Sequence, residues 1–173
     1  QAELGSHTFS HPDLNRISLA DFETELRKGE RVSRPLSKSK GRPYRYFRHP
    51  FLHTGLDLDK KRGSEAILKR MGYQVAPVTI DNSDYLYALR YQQALTKGDA
   101  AQAARIAADY IRYMDEVTAF FEKRSVEVVG REIAQILLIH ANELNRAAMP
   151  DLLAMFKKRG YAIVPLEKAL ADP

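Results

Sequence analysis

Residues 73–85 read YQVAPVTIDNSDY, a short apolar run that leads directly into four polar residues. The run does not alternate apolar and polar side chains, which is typical of a strand buried on both faces. The segments YRYFR at 44–48 and ILLIH at 136–140 are also predicted strands. Helical patterns separate the three runs, so the sequence predicts parallel strands covered by helices, an α/β fold.

The segments between the strands carry helical spacing and helix-end signals. Apolar residues recur on one face of a helix from Ile106 to Phe121. We predict a single domain over residues 1–173. The predicted helices cover 18–28, 63–72, 83–97, a block around 106–121, and 146–159, with a polar loop at 29–43 because glycine and proline interrupt the pattern there.

Composition limits the classes of function. The chain has no cysteine, which excludes disulfides, zinc–thiolate sites and a cysteine nucleophile. No apolar run is long enough to predict a membrane span. The net charge is +5, and the segment KSKGRPYRYFR at 38–48 interleaves basic and aromatic residues. A solvated basic loop is the preferred interpretation of the wider basic stretch at 27–48, and single-stranded nucleic-acid binding through 38–48 is a rival.

Ionisable residues follow each predicted strand at its carboxyl end. Asp81 and Asp84 follow the first run, His140 ends another, and Arg48 with His49 ends the third. In barrels of parallel strands the chemistry collects at this one rim. The alternatives for single residues are a helix cap for the aspartates, a buried core histidine, and an ordinary surface ion pair for the arginine.

Two pairs of histidines have metal-ligand spacing. His7 and His11 lie four residues apart, which lets two imidazoles face one ion. His49 and His53 have the same spacing, but Pro50 lies between them and no third ligand is evident nearby. We therefore favour the first pair as ligands.

Four short motifs occur in an order that matches one enzyme family. They are HTFSH at 7–11, RHPF at 48–51, DNSDY at 81–85 and LIH at 138–140. In this set and order the chain resembles the polysaccharide deacetylases, carbohydrate esterase family 4, with their NodB-homology domain. The third motif departs from the family pattern because Tyr85 stands where the family has tryptophan.

The resemblance implies a fold and a reaction. The implied fold is a distorted, NodB-like (β/α) barrel of parallel strands forming one catalytic domain. The implied reaction is metal-dependent hydrolysis of acetyl groups from an N- or O-acetylated polysaccharide or oligosaccharide, such as peptidoglycan or a chitin-like or xylan-like polymer. The implied cofactor is a divalent metal, with zinc as the first choice. Such a substrate indicates a periplasmic or secreted protein.

The resemblance also implies roles for the residues of the motifs. His7 and His11 are the metal ligands. His140 is the general acid that protonates the departing group, and Asp84 orients it and stabilises its charged form. Arg48 tethers the catalytic base.

Three further residues are implied to contact the substrate. The main-chain N–H of Phe51 stabilises the oxyanion. Leu138 and Tyr85 line the pocket for the acetyl methyl group. The hydroxyl of Tyr85 changes the shape of that pocket relative to the family pattern.

One family motif, T-F-D-D-G, is absent, and the 173 residues contain no Asp–Asp pair. That motif supplies the family's base and third metal ligand, so we expect both, with the first strand or strands of the barrel, upstream of this chain. For the chain alone we expect a weak two-histidine site, little hydrolysis, and an open edge that pairs with the missing segment or a second copy. The alternatives are a non-catalytic carbohydrate or cell-wall binding module and a related hydrolase of non-peptide amides.

Overall fold

The computed structural model describes residues 3–173. Backbone contacts divide the chain into two compact units, with the boundary between Pro77 and Val78. The prediction of a single domain stays a prediction. No helix of the described residues combines the length and apolar character needed to cross a membrane.

The first unit contains two long helices and a small parallel sheet. Its two strands are only two residues long, and they pair in parallel with Tyr46 opposite Gln74. Its elements are α1 (Leu19–Ser39), β1 (Tyr46–Phe47), a 3₁₀ turn (Pro50–Leu52), α2 (Leu58–Arg70) and β2 (Gln74–Val75).

Helix α1 is much longer than the sequence predicts. It begins after Ser18, whose side chain caps the main-chain N–H of Asp21 as expected. It then continues through Gly29 and Pro35 to Ser39, so the predicted loop at 29–43 is wrong over most of its length. Burial of one apolar face stabilises the helix despite these two weak helix formers.

The core of the first unit packs α1 and α2 against the sheet. Each large apolar side chain in it contributes about 1.5–3 kcal/mol by leaving water. The fully or nearly buried members are Leu14, Phe22, Leu26, Tyr44, Phe47, Ile67, Leu68 and Tyr73.

The second unit is a helical assembly. The predicted apolar face of its longest helix is confirmed, because Tyr110 and Met114 are completely buried against the helix that follows. The elements are α3 (Asp84–Thr96), α4 (Ala100–Val129), α5 (Glu143–Lys158) and the short α6 (Leu166–Ala169).

The predicted barrel is wrong. The structure is 58% helical, and the described residues form a two-stranded sheet with no closed barrel. Beyond that sheet, only single parallel bridges join Ser6 to Phe47 and Ile80 to Leu137. Pro77 lies inside the run at 73–80 and has no N–H to donate, so it cannot extend a ladder of hydrogen bonds. The predicted strands are extended and parallel, but too short to form a barrel.

Candidate functional site

The carboxyl end of the small sheet in the first unit positions two motif residues. Ser6 pairs with Phe47 in parallel, and the main-chain N–H of Arg48 donates to the oxygen of Ser6 at 3.1 Å. His7 and Arg48 therefore follow neighbouring extended segments. The Nδ1 of His7 lies 2.8 Å from the main-chain oxygen of Arg48.

This contact decides which nitrogen of His7 faces a ligand. A carbonyl oxygen only accepts hydrogen bonds, so Nδ1 carries the proton and the lone pair of the neutral ring lies on Nε2. The same arrangement orients metal-binding histidines in proteins. The ring of His11 lies 4.7 Å from that of His7, centroid to centroid, at 70° between the ring planes.

Backbone strain concentrates in and directly beside two of the motifs, HTFSH at 7–11 and RHPF at 48–51. Among the described residues, four that are not glycine have positive φ: Thr8 (66°), His11 (57°), Phe51 (57°) and Leu52 (58°). Such conformations cost about 1–3 kcal/mol each and cluster at functional sites. The two strained segments touch, because the rings of His11 and Phe51 lie 4.6 Å apart.

Helix α1 supports the strained loop that carries the histidines. Glu25 accepts hydrogen bonds from both the main-chain N–H (2.7 Å) and the Oγ (2.9 Å) of Ser10. Gly29 approaches the loop so closely that a Cβ there would lie 2.7 Å from the oxygen of Thr8. The sequence analysis did not find Glu25 or Gly29, since neither belongs to a motif.

The two imidazoles fit part of a metal site. Their rings are adjacent, and His7 presents a lone pair on Nε2. A catalytic zinc usually takes three protein ligands. Within residues 3–173 no group of three or more histidine, aspartate or glutamate side chains is arranged to hold a metal. His7 and His11 would supply two of the three ligands, and zinc binding stays a prediction.

Arg48 lies partly buried beside the small sheet. Its Nε donates to the oxygen of Ala76 at 3.2 Å, and Nη2 lies 3.5 Å from the oxygen of Pro77. Burial lowers the pKa of its guanidinium. Among the described residues of the first unit, its hydrogen-bond acceptors are main-chain oxygens and not carboxylates. This fits the predicted role of tethering a carboxylate.

The second histidine pair has two unrelated environments. His49 is buried, with its ring 4.9 Å from that of Phe47 and stacked on Phe22. His53 is exposed, and its Nδ1 lies 2.8 Å from Oδ1 of Asp13. One is a core residue and the other an exposed ion-pair partner, which agrees with the lower weight given to them as ligands.

In the second unit, Asp84 and His140 form a hydrogen-bonded pair. They follow Ile80 and Leu137, the two residues of the parallel bridge. Oδ1 of Asp84 lies 2.7 Å from Nδ1 of His140, and Oδ2 accepts from the main-chain N–H of His140 at 2.8 Å. Asp84 is 1% exposed and the His140 side chain 50% exposed.

This geometry argues against the two simpler alternatives, a helix cap for Asp84 and a buried core position for His140. The carboxylate of Asp84 binds His140 instead of capping α3, and half of the imidazole of His140 faces outward instead of lying in the core. Because a carboxylate accepts, Nδ1 is the protonated nitrogen and Nε2 is the one that exchanges a proton with a ligand. A carboxylate-oriented imidazole is a suitable general acid or base.

The sequence analysis missed Asn145, which completes this arrangement. Its Nδ2 donates to Oδ2 of Asp84 at 2.7 Å and to the main-chain oxygen of His140 at 2.8 Å. Asn142 caps the main-chain N–H of Asn145, so α5 begins at Glu143, three residues before the predicted start at 146. The bond to Asp84, 61 residues away, has no local signal.

The predicted pocket residues lie near this pair in sequence. Tyr85 is on the first turn of α3 and 58% exposed. Leu138 is partly buried, and its main-chain oxygen accepts from Nδ2 of Asn82 at 2.6 Å. Their role in holding an acetyl methyl group stays a prediction, as does the oxyanion role of Phe51, which is 57% exposed.

The basic segment at 38–48 does not present a surface for stacking bases. Its aromatic residues are buried: Tyr44 is 7%, Tyr46 6% and Phe47 0% exposed. Stacking on exposed rings is the usual basis of single-strand binding. The structure therefore removes the feature on which the nucleic-acid alternative depended.

Comparison with known proteins gives one distant relative. No protein-family model matches the chain, and no solved structure matches it. The chain is similar to a chitin deacetylase. That protein, from Colletotrichum lindemuthianum, is 23% identical over 169 residues, which cover 98% of this chain. The chain spans 56% of the length of this curated relative. The similarity supports a distant relationship to polysaccharide deacetylases.

Proposed function

We propose that the chain carries the metal-binding and proton-transfer residues of an enzyme that removes acetyl groups from a polysaccharide. The carrying observation is that three of the four positive-φ residues other than glycine, among those described, lie in the two motifs resembling metal-binding and oxyanion motifs, and that the fourth, Leu52, directly follows the second motif. The distant chitin deacetylase supports the reaction class. The proposed substrate is an N- or O-acetylated polymer, such as chitin-like chains, peptidoglycan or xylan.

The first unit supplies the metal-binding side of the proposal. His7 and His11 would hold a divalent metal, zinc first, which when bound supplies a Lewis acid and lowers the pKa of a bound water. The hydrogen bond from His7 to the main-chain oxygen of Arg48 directs Nε2 toward the ligand. Phe51 offers its main-chain N–H to the oxyanion, since its strained backbone at φ 57° orients that peptide group.

The second unit supplies the proton donor. His140 gives the proton on Nε2 to the amine or alcohol as the acyl carbon–nitrogen or carbon–oxygen bond breaks, and acetate is the other product. Asp84 holds Nδ1–H and stabilises the imidazolium before transfer. General acid catalysis of this kind contributes about 10²–10⁴-fold.

The remaining proton is the one that water loses as it attacks the acetyl carbon. We assign its acceptor to a carboxylate held by Arg48, whose present partners are main-chain carbonyls. A polymer substrate places the proposed reaction in the periplasm or outside the cell.

Metal content tests the proposal directly. The full natural gene product is purified without chelator, and zinc is measured in the wild type, in His7→Ala and in His140→Ala. We expect about one zinc per chain in the wild type and in His140→Ala, and none in His7→Ala. His140→Ala is a matched control, because it removes an imidazole outside the proposed ligand set.

Acetate release, measured together with zinc content, distinguishes the metal-binding role of His7 from the proton-donor role of His140. In the full natural gene product, both substitutions are expected to abolish release of acetate from an acetylated chitooligosaccharide, while only His7→Ala loses metal. Absence of zinc from the wild type, or its retention in His7→Ala, would contradict the metal-binding assignment.

A second candidate is a module that binds an acetylated polymer without cleaving it. One observation favours it: the 173 residues contain no Asp–Asp pair, and the described residues hold no three-ligand group. Binding of the oligosaccharide with no acetate release by the full gene product would favour this candidate over the enzyme.

A further inference from the structure

The pair formed by Asp84 and His140 is held from behind by a buried amide and a buried phenol. We propose that Asn145 and Tyr110 are positioning residues that fix the tautomer and orientation of His140. The kinetic part of this inference rests on the proposed function, whereas the structural part does not.

Every polar atom of the Asn145 side chain has a partner. Its two amide hydrogens are donated to Oδ2 of Asp84 and to the main-chain oxygen of His140. Its Oδ1 accepts the hydroxyl of Tyr110 at 2.7 Å. Because Asn145 is 3% exposed, water cannot replace these partners easily.

The partners determine which way the amide points. A carboxylate and a carbonyl are both acceptors, so the NH₂ group must face Asp84 and His140. The opposite orientation would place Oδ1 against two oxygens. Tyr110 stabilises the correct orientation by donating to Oδ1. Burial, followed by the nearby charge of Asp84, raises the pKa of Tyr110, so the phenol remains a donor at all working pH values.

The network joins separate elements of the second unit. Asn145 lies in the first turn of α5, where Asn142 caps its main-chain N–H at 2.8 Å. Tyr110 lies in α4 and is completely buried, and Asp84 begins α3. The amide therefore fixes the carboxylate to the segment that carries His140.

The hydrogen bond from Asn145 fixes the orientation of the Asp84 carboxylate. With Asn145 present, Oδ2 of Asp84 accepts two donors, so Oδ1 is directed at Nδ1 of His140. Without the amide, Oδ2 keeps only the main-chain N–H of His140. The carboxylate can then rotate, and Nδ1–H is no longer the required tautomer of the neutral ring.

The test compares Asn145→Leu and Tyr110→Phe with Tyr87→Phe. Asn145→Leu keeps the number and branching of the side-chain heavy atoms and removes the polar groups, and Tyr110→Phe removes only one hydroxyl. Tyr87 packs against Tyr110 with ring centroids 5.6 Å apart but makes no hydrogen bond to the network, so Tyr87→Phe is the matched control.

The main readout is the tautomer of His140, measured by two-bond ¹H–¹⁵N correlation spectra of histidine-labelled protein. In the wild type and in Tyr87→Phe, we expect the neutral ring to be the Nδ1–H form. In Asn145→Leu and Tyr110→Phe, we expect a mixture with the Nε2–H form. Far-ultraviolet circular dichroism, compared with the wild type, reports whether the helical second unit remains folded. A His140 spectrum unchanged in both network variants would overturn the inference.

Kinetics of the full gene product give the second readout. We expect the network variants to lower kcat about tenfold with KM within about twofold, because neither residue touches the substrate. A tautomer change in a protein whose wild type releases no acetate would uphold the positioning role and reject the proposed function. An unchanged kcat alongside a changed tautomer would overturn the kinetic part.

Discussion

The Nδ1–H of His7 donates to the main-chain oxygen of Arg48 across 2.8 Å, although the two residues are 41 positions apart. The acceptor is part of the backbone, which the parallel bridge between Ser6 and Phe47 holds in place. At this contact the direction of the His7 ring is therefore set by a main-chain acceptor.

Because His7 is held by the main chain of Arg48, we expect the Arg48 side chain to affect hydrolysis but not zinc affinity. Arg48→Met keeps an unbranched stem and removes the guanidinium. We expect the zinc affinity of the chain to remain within about threefold, because the acceptor for His7 is the main chain. We expect acetate release by the full gene product to fall at least about 100-fold, because the proposed carboxylate loses its cation. Chelator competition and an acetate assay measure the two effects. A parallel loss of zinc affinity would contradict the prediction and show that the Arg48 side chain also positions the loop that carries His7 and His11.

Glu25, on α1, is expected to affect zinc affinity because it positions the loop that carries His7 and His11. Burial acts to raise the pKa of Glu25, but hydrogen bonds from Ser10 and Phe9 bring it below its ordinary value. Glu25→Gln replaces one acceptor oxygen by a donor and removes the charge. We expect zinc affinity to fall about tenfold, as for residues that support metal ligands. Chelator competition measures the effect. Glu65→Gln, at an exposed residue of α2, is the control and should leave the affinity unchanged. Equal affinities in all three proteins would contradict the prediction.

The close approach of Gly29 to the loop makes an ordinarily favourable substitution harmful. Alanine is about 1 kcal/mol better than glycine inside a helix. At Gly29, however, the added Cβ would lie 2.7 Å from the main-chain oxygen of Thr8, which cannot move without the loop. We expect Gly29→Ala to lower the free energy of unfolding by about 1–3 kcal/mol in urea titrations.

Gly63 provides the matched control for this prediction. Its added Cβ would collide with Cδ1 of Leu19, the end of a flexible side chain that can adopt another rotamer. Gly63→Ala is therefore expected to be neutral or mildly stabilising. Similar losses in both variants would show that contact with the loop backbone is not the deciding factor.

His49 should make the stability of the protein depend on pH. Burial, with a smaller effect of nearby His7, lowers the pKa of His49 from 6.5 to about 4. The unfolded chain therefore binds a proton at a higher pH than the folded protein does. Stability is fully present above about pH 6.5, decreases as the pH falls toward 4, and levels off below, a total of about 3 kcal/mol.

His49→Phe isolates this effect, because the ring between Phe22 and Phe47 is retained without a titrating group. Urea unfolding is measured between pH 4 and 7.5 with chelator present. We expect the wild type to lose stability relative to the variant as the pH falls. A constant difference between the two proteins over this range would contradict the assignment.

The carboxylate of Asp84 should matter for proton transfer and not for metal. Asp84→Asn keeps the shape but can present an N–H to Nδ1 of His140, which favours the wrong tautomer. We expect kcat of the full gene product to fall roughly 10²–10⁴-fold with zinc content unchanged. Asp81→Asn is the control, since among residues 3–173 the exposed carboxylate of Asp81 accepts a hydrogen bond only from the main-chain N–H of its neighbour Asn82. A similar loss in Asp81→Asn would indicate a general effect of charge.

The fold was only partly predictable from the sequence. The helix at 83–97 and the apolar face at Tyr110 and Met114 were predicted correctly, because amphipathic spacing is a local signal. The long α1 was not, since burial against α2 and the sheet outweighs the local preferences of Gly29 and Pro35. The barrel was wrong because apolar runs indicate burial without specifying how many residues form sheet hydrogen bonds.

The candidate site divides in the same way. The chemical types of His7, His11, Arg48, Asp84 and His140, and their order along the chain, are properties of the sequence alone. They were enough to indicate hydrolytic chemistry and the deacetylase resemblance.

Only the tertiary structure showed how these residues are held. The hydrogen bonds of His7 to Arg48, of Glu25 to Ser10 and of Asn145 to Asp84 span 41, 15 and 61 residues. Such contacts depend on where distant segments meet in space, and their geometry has no local periodicity or spacing that a sequence can display. Local chemistry was therefore set by the sequence, and its orientation by long-range packing.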